Sequence, residues 1–259
     1  MESKFWHAYV NYYTITVDVL LLIGIYFFLK LPKEKKANSL YWLPLVILGF
    51  SVIYEALGGY VNSNFEFKKA VNEFLGNTEN PMYNIWLYNI SNKQITTVLF
   101  LFLIKIWIEP SKKKYINWMI SIFLITAVVF QLTGVEPLYL DQPFIAALAA
   151  NIVLVSCGLY FIGMITNDHY LDSHPLRLIS FWQTTILLFT YSLIYINSVA
   201  RIYIFGISRE LAINMANIDR VLGISVRAML LLIIISPFLN KVFDREPFYV
   251  PSRKSDLIS

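Results

Sequence analysis

Seven mostly apolar stretches, divided by short polar segments, constrain this chain more than any other feature. They run over about Val10–Leu31, Leu40–Tyr60, Gln94–Ile108, Ile116–Gly134, Phe144–Ile165, Leu178–Ala200 and Val221–Phe238. Spanning the hydrocarbon core of a bilayer takes about 20 helical residues. Only helices and closed barrels satisfy their backbone hydrogen bonds there. The pattern predicts an all-α, polytopic membrane protein, a single transmembrane domain folded as a bundle of seven transmembrane helices. Its composition is 57% hydrophobic and 15% charged, whereas soluble domains carry about 25% charged residues. Spans and loops use up the 259 residues. No soluble catalytic or nucleic-acid-binding domain fits, so any output passes through the helices or through a membrane or cytoplasmic protein partner.

Charge is sorted by side. One set of connections holds Lys30, Lys33, Lys35, Lys36, Lys105, Lys112, Lys113, Lys114, Arg177, Lys241, Arg245, Arg253 and Lys254, thirteen in all. The other holds seven: Lys4, Lys68, Lys69, Lys93, Arg201, Arg209 and Arg220. The positive-inside rule then places the N-terminus outside and the tail, 239–259, in the cytoplasm. A cytoplasmic (inner) or plasma membrane is the expected location. The basic clusters read as topology anchors, and nucleic acid is not an expected partner.

The longest connection, 62–93, falls on the outside. Within it Phe67, Val71, Phe74 and Leu75 repeat at helical spacing, with Lys68, Lys69, Asn72 and Glu73 on the opposite face. That predicts a short amphipathic helix over Asn64–Leu75, lying on the membrane surface or capping the bundle. After the sixth span, Ser208 is a candidate N-cap for a helix that starts well outside the membrane.

Ionisable groups inside a span are costly unless paired or facing water, so each is a candidate functional residue. Asp18, Glu55, Asn151, Tyr195, Asn197, Arg201 and Arg227 all fall in the outer part of their spans. Asp18, for example, sits roughly 10 Å below the outer end of its helix at 1.5 Å per residue. Thr96 and Thr97 share that depth, while the inner halves are mostly Leu, Ile, Val and Phe, with Gln183, Ser236 and Asn240 as exceptions. The inferred feature is a polar pocket open to the outside above an apolar plug. A purely structural network, with Arg227 held by Asp18 or Glu55, is the alternative.

Most catalytic chemistries are disfavoured. His169 and His174 lie with Asp168 and Asp172 in one connecting loop, and the remaining histidine, His7, is on the other side. No histidine lies within a span to activate a nucleophile. Cys157 is the single cysteine, which excludes a disulfide framework and a cysteine-based metal site. A retinal-type Schiff base needs a lysine in the last helix, where this chain has Arg227. Neither catalytic nor metal-ligating residues are assigned, and no cofactor is implied. The expected function is a sensor or receptor that binds a small solute or envelope component in the outer pocket and signals to a partner. A small-solute or ion transporter is the first alternative, and an intramembrane lipid-modifying enzyme the second.

Overall fold

The computed structural model describes residues 2–171, 173–204 and 208–247, and among these it is all-helical with no strand. Helix α1 (Glu2–Tyr9) precedes α2 (Tyr12–Lys30), and α3 (Lys33–Ala37) leads into α4 (Ser39–Ser63). Two short helices, α5 (Phe65–Phe74) and α6 (Ile85–Tyr88), connect to α7 (Thr96–Trp107). Then follow α8 (Lys113–Leu132), α9 (Pro143–Thr166), α10 (Asp168–Leu171), α11 (Ile179–Ile204) and α12 (Arg209–Ile235).

Among the described residues six helices are long and apolar enough to cross a membrane: Tyr12–Lys30, Ser39–Ser63, Pro110–Leu132, Pro143–Thr166, Ile179–Asn197 and Asn217–Phe238. The seventh, expected over 94–108, falls short. Its α-helical part has 12 residues, about 18 Å at 1.5 Å per residue, against a hydrocarbon core of about 30 Å. The residues ahead of it are polar and wind as a π-helix, Asn89–Ile95. Their side chains find polar partners on a neighbouring loop. Asn89 donates to the carbonyls of Leu138 (2.8 Å) and Leu140 (2.6 Å), and Lys93 pairs with Asp141. Thr96 closes the π-turn by donating its hydroxyl to the Ser91 carbonyl at 2.8 Å. A mixed helix of this kind is a common device near functional sites.

Helix starts are set by caps. Asn11 accepts from the amides of Tyr13 and Thr14, and Thr14 returns the bond to the Asn11 amide, a capping box for α2. Ser208 accepts from the Leu211 amide and starts α12 well ahead of its apolar window. Two central helices have no local cap and borrow a distant carboxylate instead. Glu136 accepts from the amides of Phe144 (2.6 Å) and Ile145 (2.9 Å) at the start of α9. Glu246 accepts from the Ser180 amide (2.9 Å) and hydroxyl (2.7 Å) at the start of α11.

Packing centres on α9, α11, α12, α2 and α4, and the core joins Tyr160 of α9 and Ile47 and Leu48 of α4 to Phe123 of α8 and Leu101 and Ile104 of α7. Large apolar side chains such as Leu22, Leu29, Trp118 and Ile125 are left exposed on the long helices. In water this would be an aggregation liability; against acyl chains it is the required surface. Two ends can be distinguished by contacts. Helices α1 and α5 share one, hereafter the α1 end, with 84–93 and 136–142. The other, the tail end, joins Arg177 and Ser180 to 241–246.

At the tail end Glu246 ties down the segment that follows α12. Asp244 pairs with Arg177 at 3.0 Å and donates its amide to the Arg177 carbonyl. Burial pushes the Glu246 carboxyl above its ordinary value of 4.5, partly opposed by the hydrogen bonds from Ser180. A carboxyl whose folded pKa is raised favours the docked state most fully below its ordinary value, and that contribution fades as pH rises through the folded one. Acidification should therefore tighten the docking. Amide exchange at Ser180 and Asp244, corrected for intrinsic rates, should show more protection at the acid side of this window. Glu246→Gln should remove the pH dependence; if it persists in the variant, another group titrates.

Candidate functional site

Four helices meet at the α1 end. Helix α1 packs on α4 where Gly59 leaves room: a Cβ there would approach the Phe5 ring and Tyr9 Cβ at 3.2 Å. Tyr9 then reaches α2, its hydroxyl shared between the two Asp18 oxygens at 2.9 Å each. Burial, and then the Asp18 hydrogen bond, push the Tyr9 phenol up to about 12, so it stays a donor at any physiological pH. Below this contact α2, α4 and α12 pack against one another and bring Tyr13, Glu55 and Arg227 together.

Arg227 is buried, with 8% of its surface exposed. Its guanidinium lies over the Tyr13 ring, 5.4 Å from the centroid, and Nη1 donates to the Gly223 carbonyl of its own helix at 2.9 Å. Nε has no partner. Among the described residues no ion pair joins Arg227 to Asp18 or Glu55. The expected clamp is thus corrected: Asp18 is engaged by Tyr9, and Glu55 is near enough to interact with the Arg227 charge without forming a salt bridge. The physical reason is reach, because Arg227 turns along α12 to its own helix carbonyl and onto an aromatic face.

The remaining expected residues divide. Asn197 is buried between α11 and α12 and donates to Asp219 at 2.6 Å. Asn151 is exposed and bonds the Ala147 carbonyl one turn back on α9, so it faces away from the junction. Tyr195 is 38% exposed. The side chain of Arg201 lies outside the described residues, as do Asp172 and the side chain of His169.

Some of these groups belong to a longer feature, of which the sequence singles out only Gln183 and Asn197. A polar stripe runs along the buried face of α11 through Ser180, Gln183, Thr184, Thr190, Tyr191 and Asn197. Gln183 accepts from the Trp107 indole at 2.8 Å, while its amide nitrogen and the Thr184 and Thr190 hydroxyls have no partner. Buried polar atoms of this kind are uncommon and call for an explanation. The spacing of about 3.5 residues was available as a signal, since these positions mark one helical face.

Helix α5 docks with its polar side inward. Lys68 and Asn72 are its buried residues, whereas Phe74 is 89% exposed. Asn72 donates to the carbonyls of Lys68, Pro81 and Tyr83 and accepts from Asn77, so it organises the backbone of the following loop. An open cleft of about 650 Å³ lies between α1, the end of α4 and α5. No protein-family model, curated protein or solved structure matches this chain. Its helices define a multi-pass integral membrane protein.

Proposed function

We propose that the protein is a membrane sensor that binds a small solute or envelope component at the α1 end and passes a helix shift to a partner at the tail end. The observation that carries this is the double attachment of α1. The same eight-residue helix walls the open cleft and donates the Tyr9 bond to Asp18 on α2. A ligand seated in the cleft and a membrane helix therefore act on one lever. Helices α2, α4 and α12 pack together along the way to the tail end, and shifts of about 1–2 Å between packed helices are a common switching step. In this proposal α7 with its π-helical lead completes a seven-helix bundle, the N-terminus is outside and the tail is cytoplasmic, in keeping with the thirteen-to-seven charge bias.

The test removes the lever. With Cys157 replaced by alanine, nitroxides at positions 36 and 241 report the separation of two tail-end segments. Tyr9→Phe or Asp18→Asn should shift that distance distribution by about 1–2 Å. Unchanged distributions in both variants would sink the coupling. A reporter active only outside the cell, fused after Ser259, should be silent.

Transport is the second reading, favoured by the partnerless donors of Gln183, Thr184 and Thr190 on the buried face of α11. It requires flux through proteoliposomes that Gln183→Leu abolishes, whereas the sensor requires none.

A further inference from the structure

Lys68 stands out among the cationic residues of the chain. Lysine is almost never buried unless paired, because an ammonium removed from water without a partner is costly. Lys68 is 8% exposed as a residue, its stem buried and its ammonium left to the open cleft, where among the described residues it has neither an ion pair nor a hydrogen bond. Its neighbour Lys69 is the ordinary case, half-exposed and paired with Glu73 at 3.8 Å. What Lys68 lines instead is the open cleft, across from Lys4 and His7 on α1, with Asn62 and Ser63 at the end of α4 between them. Among the described residues no acidic side chain lines this cleft. Its walls offer ammonium, imidazole and amide donors, the Ser63 hydroxyl being spent on the Tyr60 carbonyl, and among the described residues no carboxylate neutralises them.

We infer that this cleft is an anion site for a phosphate ester, with Lys68 as the counter-charge and Lys4 and His7 closing on the phosphoryl oxygens from α1. Several converging donors suit an anion with three or more acceptor oxygens better than a single carboxylate. A volume of about 650 Å³ also leaves room for the esterified organic group. The setting favours the same class. Helix α5 exposes Phe67 and Phe74, and the partly exposed Phe65 and Met82 line the cleft beside Lys68, as expected of an amphipathic helix resting at the level of lipid headgroups. A headgroup phosphate and a soluble phosphate ester present the same chemistry to these donors. The inference names the ligand class of the binding step proposed above. It is tested by affinity alone, so it can fail while the coupling through Tyr9 stands, or stand while the coupling fails.

The experiment uses the full chain in nanodiscs. In phosphatidylcholine discs, glycerol 3-phosphate and succinate are titrated in turn. In a parallel arm, discs contain one-fifth phosphatidylglycerol, and lipid retained by the protein after exchange into neutral detergent is counted by mass spectrometry. Binding of glycerol 3-phosphate identifies a soluble phosphate ester; selective retention of phosphatidylglycerol alone identifies a headgroup. Either should weaken at least about tenfold in Lys68→Gln, as expected for loss of a charged hydrogen bond, and should be unchanged in Lys69→Gln. Lys4→Gln and His7→Gln lie on the exposed wall, leave folding intact and should each weaken binding severalfold. The inference is overturned if neither probe binds, if succinate binds as well as the phosphate ester, or if Lys4→Gln and His7→Gln bind like the parent.

Discussion

Glu136→Ala should lower the unfolding free energy by about 2 kcal/mol, the upper range for a lost helix cap combined with amides left unsatisfied. The carboxylate is 5% exposed and holds the Phe144 and Ile145 amides, one on each oxygen. Pro143 supplies the first position of α9 without an N–H of its own, so these two amides are the first that need partners. The negative charge also complements the helix dipole. Helix α9 packs against α11, α7 and α8, so loosening its start is felt across the core. Glu136→Gln keeps one acceptor and loses the charge, and should fall between the two. Equilibrium unfolding in mixed micelles measures the loss, and exchange at the Phe144 and Ile145 amides locates it. Glu66→Ala, at an exposed site on α5, is the control. A loss for Glu136→Ala no larger than the control's would show that the cap is dispensable.

The long helices were legible because each carries an apolar run, and some are also bounded by a local signal: Asn11 and Pro32 around α2, Asn38 before α4, Ser208 before α12. The short α7 escaped that logic. Asn89, Lys93 and their neighbours are helical but polar, and their partners lie near position 140, outside any local window. The Glu246 cap was illegible for the same reason, 66 residues from Ser180; Glu136, eight residues before Phe144, is near in sequence but reaches α9 only through the fold of the intervening loop.

Depth in the membrane can be counted along a helix, but rotation about the helix axis cannot. Asp18, Glu55 and Arg227 come to one junction because α2, α4 and α12 happen to pack together. Asn151, at a similar counted depth, is turned away on α9. Apolar residues surround every one of these helices, so composition gives no preferred azimuth. Helix α5 teaches a related point. Its periodicity is plain, but which face meets the protein depends on the surrounding medium. Here phenylalanines such as Phe74 are left exposed and Asn72 turns inward to supply the hydrogen bonds a folded loop needs.

Arg227→Met should raise stability, by about 1 kcal/mol. Arg227 stands midway along the apolar window Asn217–Phe238, where an arginine costs about 2.5–3.5 kcal/mol on insertion scales. Two contacts offset part of this. The Tyr13 face contributes about 0.5–2 kcal/mol as a cation–π partner, and Gly223 accepts one hydrogen bond. With Nε unsatisfied and no salt bridge to Glu55 or Asp18, the balance remains unfavourable, and an apolar side chain of similar length relieves it. The Glu55 charge still attracts the guanidinium at longer range. Removing it with Glu55→Gln should therefore enlarge the gain from Arg227→Met, a coupling a double-mutant cycle resolves. A residue that a fold would be more stable without is retained for what it does, the usual trade between stability and activity. If the protein is the sensor proposed above, this is the charge through which α12 registers a change at Asp18 and Glu55. Arg227→Met should then be more stable and fail to transmit, with the label distances between positions 36 and 241 no longer responding to Tyr9→Phe. Should the variant instead lose more than about 1 kcal/mol, the guanidinium is a structural anchor, and the junction has no charge to spare for signalling.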